Sequence, residues 1–165
     1  MRILGSLFQT KKEAAPRPTP ICHVLSHAGQ PLYFLQSFCR NKQTGIYDNW
    51  GYLARVSAED MKLRGPEIIL GDLQAFPSRD SDYRVATSNR TPEGKRDARS
   101  TRESMIVQIS LERDGDLVLT PMAKCKRSAW TSLPDGSLRL KQPASAEALF
   151  EALTVAFERC SREQA

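Results

Sequence analysis

The sequence has no long hydrophobic segment. No stretch approaches the roughly 20 consecutive apolar residues that span a bilayer. The apolar run at residues 3–8 is broken by a glycine and a serine and is soon followed by two lysines, so it is too short for the hydrophobic region of a signal peptide. We therefore expect a cytoplasmic protein with no membrane partner.

Motifs that would assign an enzymatic activity are also missing. The chain has no GxGxxG or GxxxxGKS/T phosphate loop and no GxSxG nucleophile motif, and it has only two histidines to serve as general bases. Paired carboxylates such as Asp80 and Asp82 fall in turns, where aspartate is common for backbone reasons. We predict no catalytic residue and no cofactor, and we interpret the chain as a binding protein rather than an enzyme.

The cysteines form no CxxC pair, which favours free thiols in a reducing compartment. Four potential zinc ligands lie close in sequence: Cys22, His23, His27 and Cys39. Their spacing matches no finger or knuckle pattern. If residues 21–26 form a strand, Cys22 and His23 point to opposite faces of the sheet. A core cysteine with hydrogen-bonded histidines is therefore favoured, and we predict no metal site.

A chain of 165 residues is expected to form one domain, here residues 1–165. Residues 1–20 predict an N-terminal segment and a linker, because prolines at 16, 18 and 20 favour extended backbone. Residues 77–101 have few large apolar side chains and predict a long polar loop. Residues 21–26 and 46–56 predict strands, whereas 32–40 fits a helix or a strand.

A β-hairpin is the strongest structural prediction. Residues 105–111 and 116–122 alternate apolar and polar side chains around Asp114-Gly115, the preferred pair of a two-residue type I′ turn. Such a turn places Leu111 opposite Val118 and Ile109 opposite Thr120.

Two regions predict helices. Ser57 is a plausible N-cap, and we expect Gly65-Pro66 to end that helix and to start a second one. Ser145 is expected to cap the C-terminal helix, whose apolar face repeats at helical spacing. The elements together predict an α+β fold, with a mainly antiparallel sheet, packed helices and a C-terminal helix.

Charge and aromatic residues suggest where a partner would bind. The net charge is +5, and residues 84–102 carry six basic residues against two acidic ones. A solvated charged loop and core tryptophans remain the simpler interpretations. The candidate partner-binding residues are Arg84, Arg90, Lys95, Arg96, Arg99, Arg102, Lys124, Lys126, Arg127, Trp130, Tyr47, Trp50 and Tyr52.

Residues 105–160 combine the predicted hairpin, the basic residues before Trp130, the second Asp-Gly turn and the helix that begins after Pro143. In this pattern the chain resembles immunity proteins of bacterial contact-dependent growth inhibition (CdiI-type) systems. The resemblance implies a small cytosolic protein that neutralises a cognate toxin C-terminal domain, a nuclease in many cases, by stoichiometric binding. It implies no catalytic residue.

The charge of the chain departs from this family, whose inhibitors are often acidic. Either the contact uses the acidic residues 59–82, or the toxin surface is itself acidic. A basic nucleic-acid-binding module is the first alternative, and its affinity would fall steeply with salt. A small cysteine-dependent enzyme is the second. The sequence does not set the oligomeric state.

Overall fold

The computed structural model describes residues 17–27, 30–41, 43–79, 91–125 and 129–160, which form one antiparallel sheet and three α-helices. The elements are β1 (Ile21–His27), β2 (Leu32–Arg40), β3 (Tyr47–Asn49), β4 (Ala54–Ser57), α1 (Ala58–Ala75), a 3₁₀ helix (Phe76–Ser78), α2 (Pro92–Glu103), β5 (Ser104–Leu111), β6 (Leu117–Lys124), β7 (Trp130–Ser132), a second 3₁₀ helix (Pro134–Gly136), β8 (Leu138–Leu140) and α3 (Ala146–Arg159). The predicted α+β fold with a C-terminal helix is confirmed.

The sheet has the strand order β3-β2-β1-β5-β6-β7, and every neighbouring pair is antiparallel. At one edge, β3 and β4 pair with successive halves of β2. At the other edge, β7 and β8 pair with successive halves of β6 in the same way. Each outer row of the sheet is therefore made of two short strands placed end to end.

The main hydrophobic core lies between one face of the sheet and the helices α1 and α3. The buried residues of α1 repeat every four positions and form one stripe, which consists of Met61, Gly65, Ile69 and Leu73. The stripe of α3 consists of Leu149, Leu153, Ala156 and Phe157. Ser57 and Ser145 cap these helices as predicted, because each hydroxyl accepts a hydrogen bond from a backbone N–H in the first turn.

The opposite face of the sheet carries a smaller apolar cluster, formed by Leu25, Phe34, Leu53, Ile106 and Met122. Helix α2 contacts β5 and β1 on this side, and its ends reach opposite edges of the sheet. The only buried residue of α2 is Gly94. This helix therefore contributes little apolar surface to the core.

The prediction that Gly65-Pro66 divides the first helix is wrong. Helix α1 continues from Ala58 to Ala75 with Pro66 inside it. A proline removes one backbone hydrogen bond, but the single buried stripe on both sides of Pro66 holds the two halves in register. Gly65 lies where α1 packs closely on α3, since a Cβ there would lie 3.1 Å from a methyl group of Leu149.

The predicted hairpin is present, but its register is wrong by one residue. Leu111 pairs with Leu117 and Ile109 with Leu119. The Glu112 N–H donates to the Asp116 carbonyl at 2.9 Å, and Gly115 has a φ of +91°, so the loop has three residues rather than two. Asp114-Gly115 here belongs to a type I turn that ends in a left-handed glycine.

The predicted polar loop at 77–101 is wrong for its second half, because α2 occupies residues 92–103. Residues 80–90 lie outside the described residues. The helix was missed because it has no apolar period, yet Thr91-Pro92-Glu93 carries an N-cap, a first-turn proline and a first-turn acid. The predicted strand at 46–56 is interrupted and forms β3 and β4, and residues 32–40 form a strand.

Candidate protein-binding surface

The described candidate residues fall into two groups on different parts of the molecule. Arg84, Arg90, Lys126 and Arg127 lie outside the described residues. Seven candidates gather around α2: Lys95, Arg96, Arg99, Arg102, Lys124, Trp130 and Tyr52. Tyr47 and Trp50 lie beside the first 3₁₀ helix instead. We refer to the group of seven as the α2 surface.

Polar contacts hold α2 on the sheet. The Asp97 carboxylate accepts a hydrogen bond from the Leu53 backbone N–H at 2.8 Å. The hydroxyls of Tyr52 and Thr91 are 3.3 Å apart at the start of the helix. At its end, the Lys124 ammonium donates to the Arg102 carbonyl at 2.9 Å. These contacts fix the helix while leaving its outer side free to present charge.

The outer side of α2 carries a stripe of cations. Lys95, Arg99 and Arg102 are exposed and follow helical spacing, so they share one face. Arg99 pairs with Glu103 at 3.0 Å, and this exposed pair is worth little in water. Within the described ranges, the side chains of Lys95 and Arg102 have no carboxylate within ion-pair distance.

Trp130 extends the α2 surface onto the sheet. It pairs with Lys124 across β6 and β7. Its half-buried ring packs against the smaller apolar cluster beneath α2. A partly exposed tryptophan next to cations is a typical anchor of a protein interface.

Tyr47 and Trp50 have structural partners. The Tyr47 ring lies 5.7 Å from the Phe76 ring, and its hydroxyl donates to the Thr19 carbonyl at 2.8 Å. The Trp50 ring lies 5.1 Å from the Arg79 guanidinium. The structure therefore places Tyr47 and Trp50 away from the α2 surface. They lie in a cluster of contacts between the sheet edge and the end of α1.

This cluster contains a buried ion pair that was not predicted from the sequence. Arg79 pairs with Asp72, and Ser37 donates a hydrogen bond to the same carboxylate. Arg79 also donates to the Phe38 carbonyl at 2.9 Å. These partners come from β2 and α1, so no local sequence pattern connects them.

The half-buried His23 and the buried Cys22 of β1 lie in different environments. Cys22 is fully buried on the helix side of the sheet, and its burial raises the pKa of the thiol well above 9, with a further contribution from Asp72. His23 points to the other face and contacts the Phe38 ring. Burial lowers the pKa of His23 from 6.5 to about 4, against hydrogen bonds with Gln108 and Gln36. A neutral thiol and a neutral imidazole on opposite faces offer no activated nucleophile.

No three His, Cys, Asp or Glu side chains are grouped as metal ligands in the described ranges. No helix in these ranges is long and apolar enough to cross a membrane.

Comparison with known proteins identifies structural neighbours only. No protein-family model and no curated protein matches the sequence. A protein of unknown function from Neisseria meningitidis is 17% identical, with a TM-score of 0.57 over 87% of this chain and 96% of that chain. A chain of the CdiA-CT/CdiI toxin and immunity complex from Yersinia pseudotuberculosis is 14% identical, with a TM-score of 0.58 over 88% of this chain and 99% of that chain. At these identities, the likeness establishes a shared fold.

Proposed function

We propose that this chain is an immunity protein that binds and neutralises the toxic C-terminal domain of a contact-dependent growth inhibition toxin in the cytoplasm. The observation that carries the proposal is the structural likeness, over 88% of this chain, to a chain of a toxin and immunity complex. The order of hairpin, second Asp-Gly turn and C-terminal helix in residues 105–160, on which the resemblance to this family rests, agrees with the proposal. We propose that the toxin is a nuclease, because the toxins of the family that the sequence resembles are nucleases in many cases.

The α2 surface is our proposed contact with the toxin. Its cations are exposed, and Trp130 and Tyr52 add aromatic area at the two ends of the helix. Aromatic and arginine side chains supply most of the binding energy of typical interfaces, while surrounding charges set the association rate. Binding costs α2 little conformational entropy, because its polar contacts with the sheet already fix its position.

The acidic residues of 59–82 support the choice of a basic contact surface. Asp60 accepts a hydrogen bond from the Ser57 hydroxyl, Glu67 pairs with Arg64, and Asp72 is buried. Among the described acids of this stretch, Glu59 alone has no such partner. We therefore propose that the toxin presents an acidic surface to α2, which accounts for an inhibitor with a net charge of +5.

Affinity purification of the tagged chain from its native host, followed by mass spectrometry, tests the proposal. We expect a one-to-one complex with the C-terminal fragment of a large toxin. Recovery of nucleic acid that salt or nuclease removes would instead support the nucleic-acid-binding alternative.

Charge reversal tests the proposed surface. Arg96→Glu with Arg99→Glu should slow association with the toxin by about tenfold at low salt, because electrostatic steering is lost. The matched control is Arg64→Glu with Arg113→Glu, which makes the same change in net charge at exposed positions away from α2. Equal association rates for the two variants would exclude α2 as the contact surface.

A further inference from the structure

A small cavity lies between the turn that joins β2 to β3 and the first 3₁₀ helix. Its volume is about 340 Å³, at the small end of ligand sites, so it has room for one or two side chains. Pro18, Phe76 and Pro77 provide apolar walls, and Arg40 and Arg79 are the basic residues of the lining. None of these five residues belongs to the α2 surface.

Arg40 is held by a hydrogen bond to the turn that follows β2. Its Nε donates to the Gly45 carbonyl at 3.2 Å. The Gly45 N–H donates to the Asn41 carbonyl at 2.8 Å, and the Asn41 N–H donates to the Ile46 carbonyl at 2.8 Å. Gly45 has a φ of +72°, which favours glycine. The turn therefore fixes the guanidinium before any ligand arrives.

The two terminal nitrogens of Arg40 have no hydrogen-bond partner among the described residues, and the side chain is exposed. Arg79 is neutralised by its buried pair with Asp72. The nearby carboxylate of Asp48 accepts a hydrogen bond from the Asn41 side chain at 3.0 Å and forms no ion pair with Arg40. Among the residues that the structure describes, Arg40 therefore has no carboxylate paired with it and gives the cavity a positive charge.

A ligand that suits the site thus carries an anionic group for Arg40 and an apolar group for Pro18, Phe76 and Pro77. An acidic side chain next to an apolar one on a protein surface has this chemistry.

We propose that this cavity binds the carboxylate of a glutamate or aspartate side chain of a protein partner. The terminal nitrogens of Arg40 form a bidentate pair with the carboxylate, which is the strong geometry for these groups. The apolar walls contact the hydrocarbon part of the ligand beside the carboxylate. That the partner is the toxin rests on the proposed function, whereas the preference for a carboxylate rests on the cavity alone.

An NMR titration of the ¹⁵N-labelled full chain tests the carboxylate preference. The probes are the blocked dipeptides N-acetyl-Glu-Leu-amide and N-acetyl-Gln-Leu-amide. We expect saturable shifts of the Gly45 and Phe76 amides, with the Glu peptide bound at least about fivefold more tightly, since a charge-assisted pair replaces a neutral one. Arg40→Gln should abolish the difference, and Arg113→Gln, the same change at an exposed arginine outside the cavity, should preserve it. Equal affinity for the two peptides would overturn the proposal.

Measuring how tightly wild type and Arg40→Gln bind the toxin distinguishes failure of the cavity proposal from failure of the proposed function. If the toxin complex forms and Arg40→Gln weakens it at least about fivefold, the cavity is part of the interface. If the complex forms with unchanged affinity, the cavity proposal fails and the immunity function stands. If no toxin is recovered but wild type still discriminates the peptides, the carboxylate site stands and the proposed function fails.

Discussion

Arg79 and Asp72 form an ion pair in which only 5% and 7% of the side chains are exposed. The same guanidinium donates to the Phe38 carbonyl and lies over the Trp50 ring. The pair therefore connects the end of α1 to the middle of β2. The two charges are buried against each other, so each depends on the other.

Removing one partner of this pair should destabilise the fold strongly. We expect Arg79→Ala to lower the free energy of unfolding by about 3–5 kcal/mol, because the Asp72 carboxylate is left buried without a counter-charge. Arg64→Ala, which breaks an exposed pair with Glu67, should cost less than about 1 kcal/mol. Urea unfolding of both variants measures the difference. Similar losses would show that the buried pair has no special role.

Two glycines of α1 should respond in opposite ways to alanine. Gly71 is exposed with open space around it, so Gly71→Ala should stabilise the protein by about 1 kcal/mol through helix propensity. At Gly65 a Cβ would lie 3.1 Å from Leu149 and 3.2 Å from Met61. We expect Gly65→Ala to be less stable than Gly71→Ala by about 1 kcal/mol or more, as measured by urea midpoints. Equal stabilisation would mean that α1 and α3 are not closely packed at Gly65.

His23 should make stability depend on pH. Its folded pKa is about 4, below the ordinary value of 6.5, so the unfolded chain binds a proton that the folded chain does not. Below pH 6.5 the free energy of unfolding should fall by about 1.4 kcal/mol per pH unit until the pH approaches the folded pKa. Unfolding at pH 7.5 and 5.5 should show this loss in the wild type. His23→Gln should lose less than about 0.5 kcal/mol over the same range, and an equal loss would assign the effect to other groups.

The cysteines should differ in reactivity. Cys22 and Cys39 are 0% and 2% exposed, and burial raises the pKa of the Cys22 thiol. We expect iodoacetamide at pH 8 to leave both unmodified in the native protein and to modify the half-buried Cys125 first. Mass spectrometry of digested peptides reports each site. Rapid modification of native Cys22 or Cys39 would support the alternative that the protein is a cysteine-dependent enzyme.

Much of the sheet and of the capped helices could be predicted from sequence, because the relevant signals are local. Alternation predicted β5 and β6, and Ser57 and Ser145 predicted the starts of α1 and α3. The hairpin register depends on the conformation of one glycine, Gly115, which Asp-Gly alone does not determine.

The rest depends on contacts between distant parts of the chain. Whether Pro66 ends α1 is decided by packing on α3, and α2 is held by bonds to residues such as Leu53 rather than by an apolar period. The grouping of Tyr52, Lys124 and Trp130 around α2 likewise follows from the topology. The choice of these residues as partner contacts stays a prediction.

Titration of the toxin fragment with this protein tests the central claim most directly. The toxic activity of the fragment recovered by affinity purification is measured while the molar ratio of the two proteins is raised. We predict that inhibition is complete at a one-to-one ratio, as tight stoichiometric binding requires. Toxic activity that persists at a large molar excess of this chain would contradict the account, and so would complete inhibition far below one-to-one, which indicates catalytic inactivation.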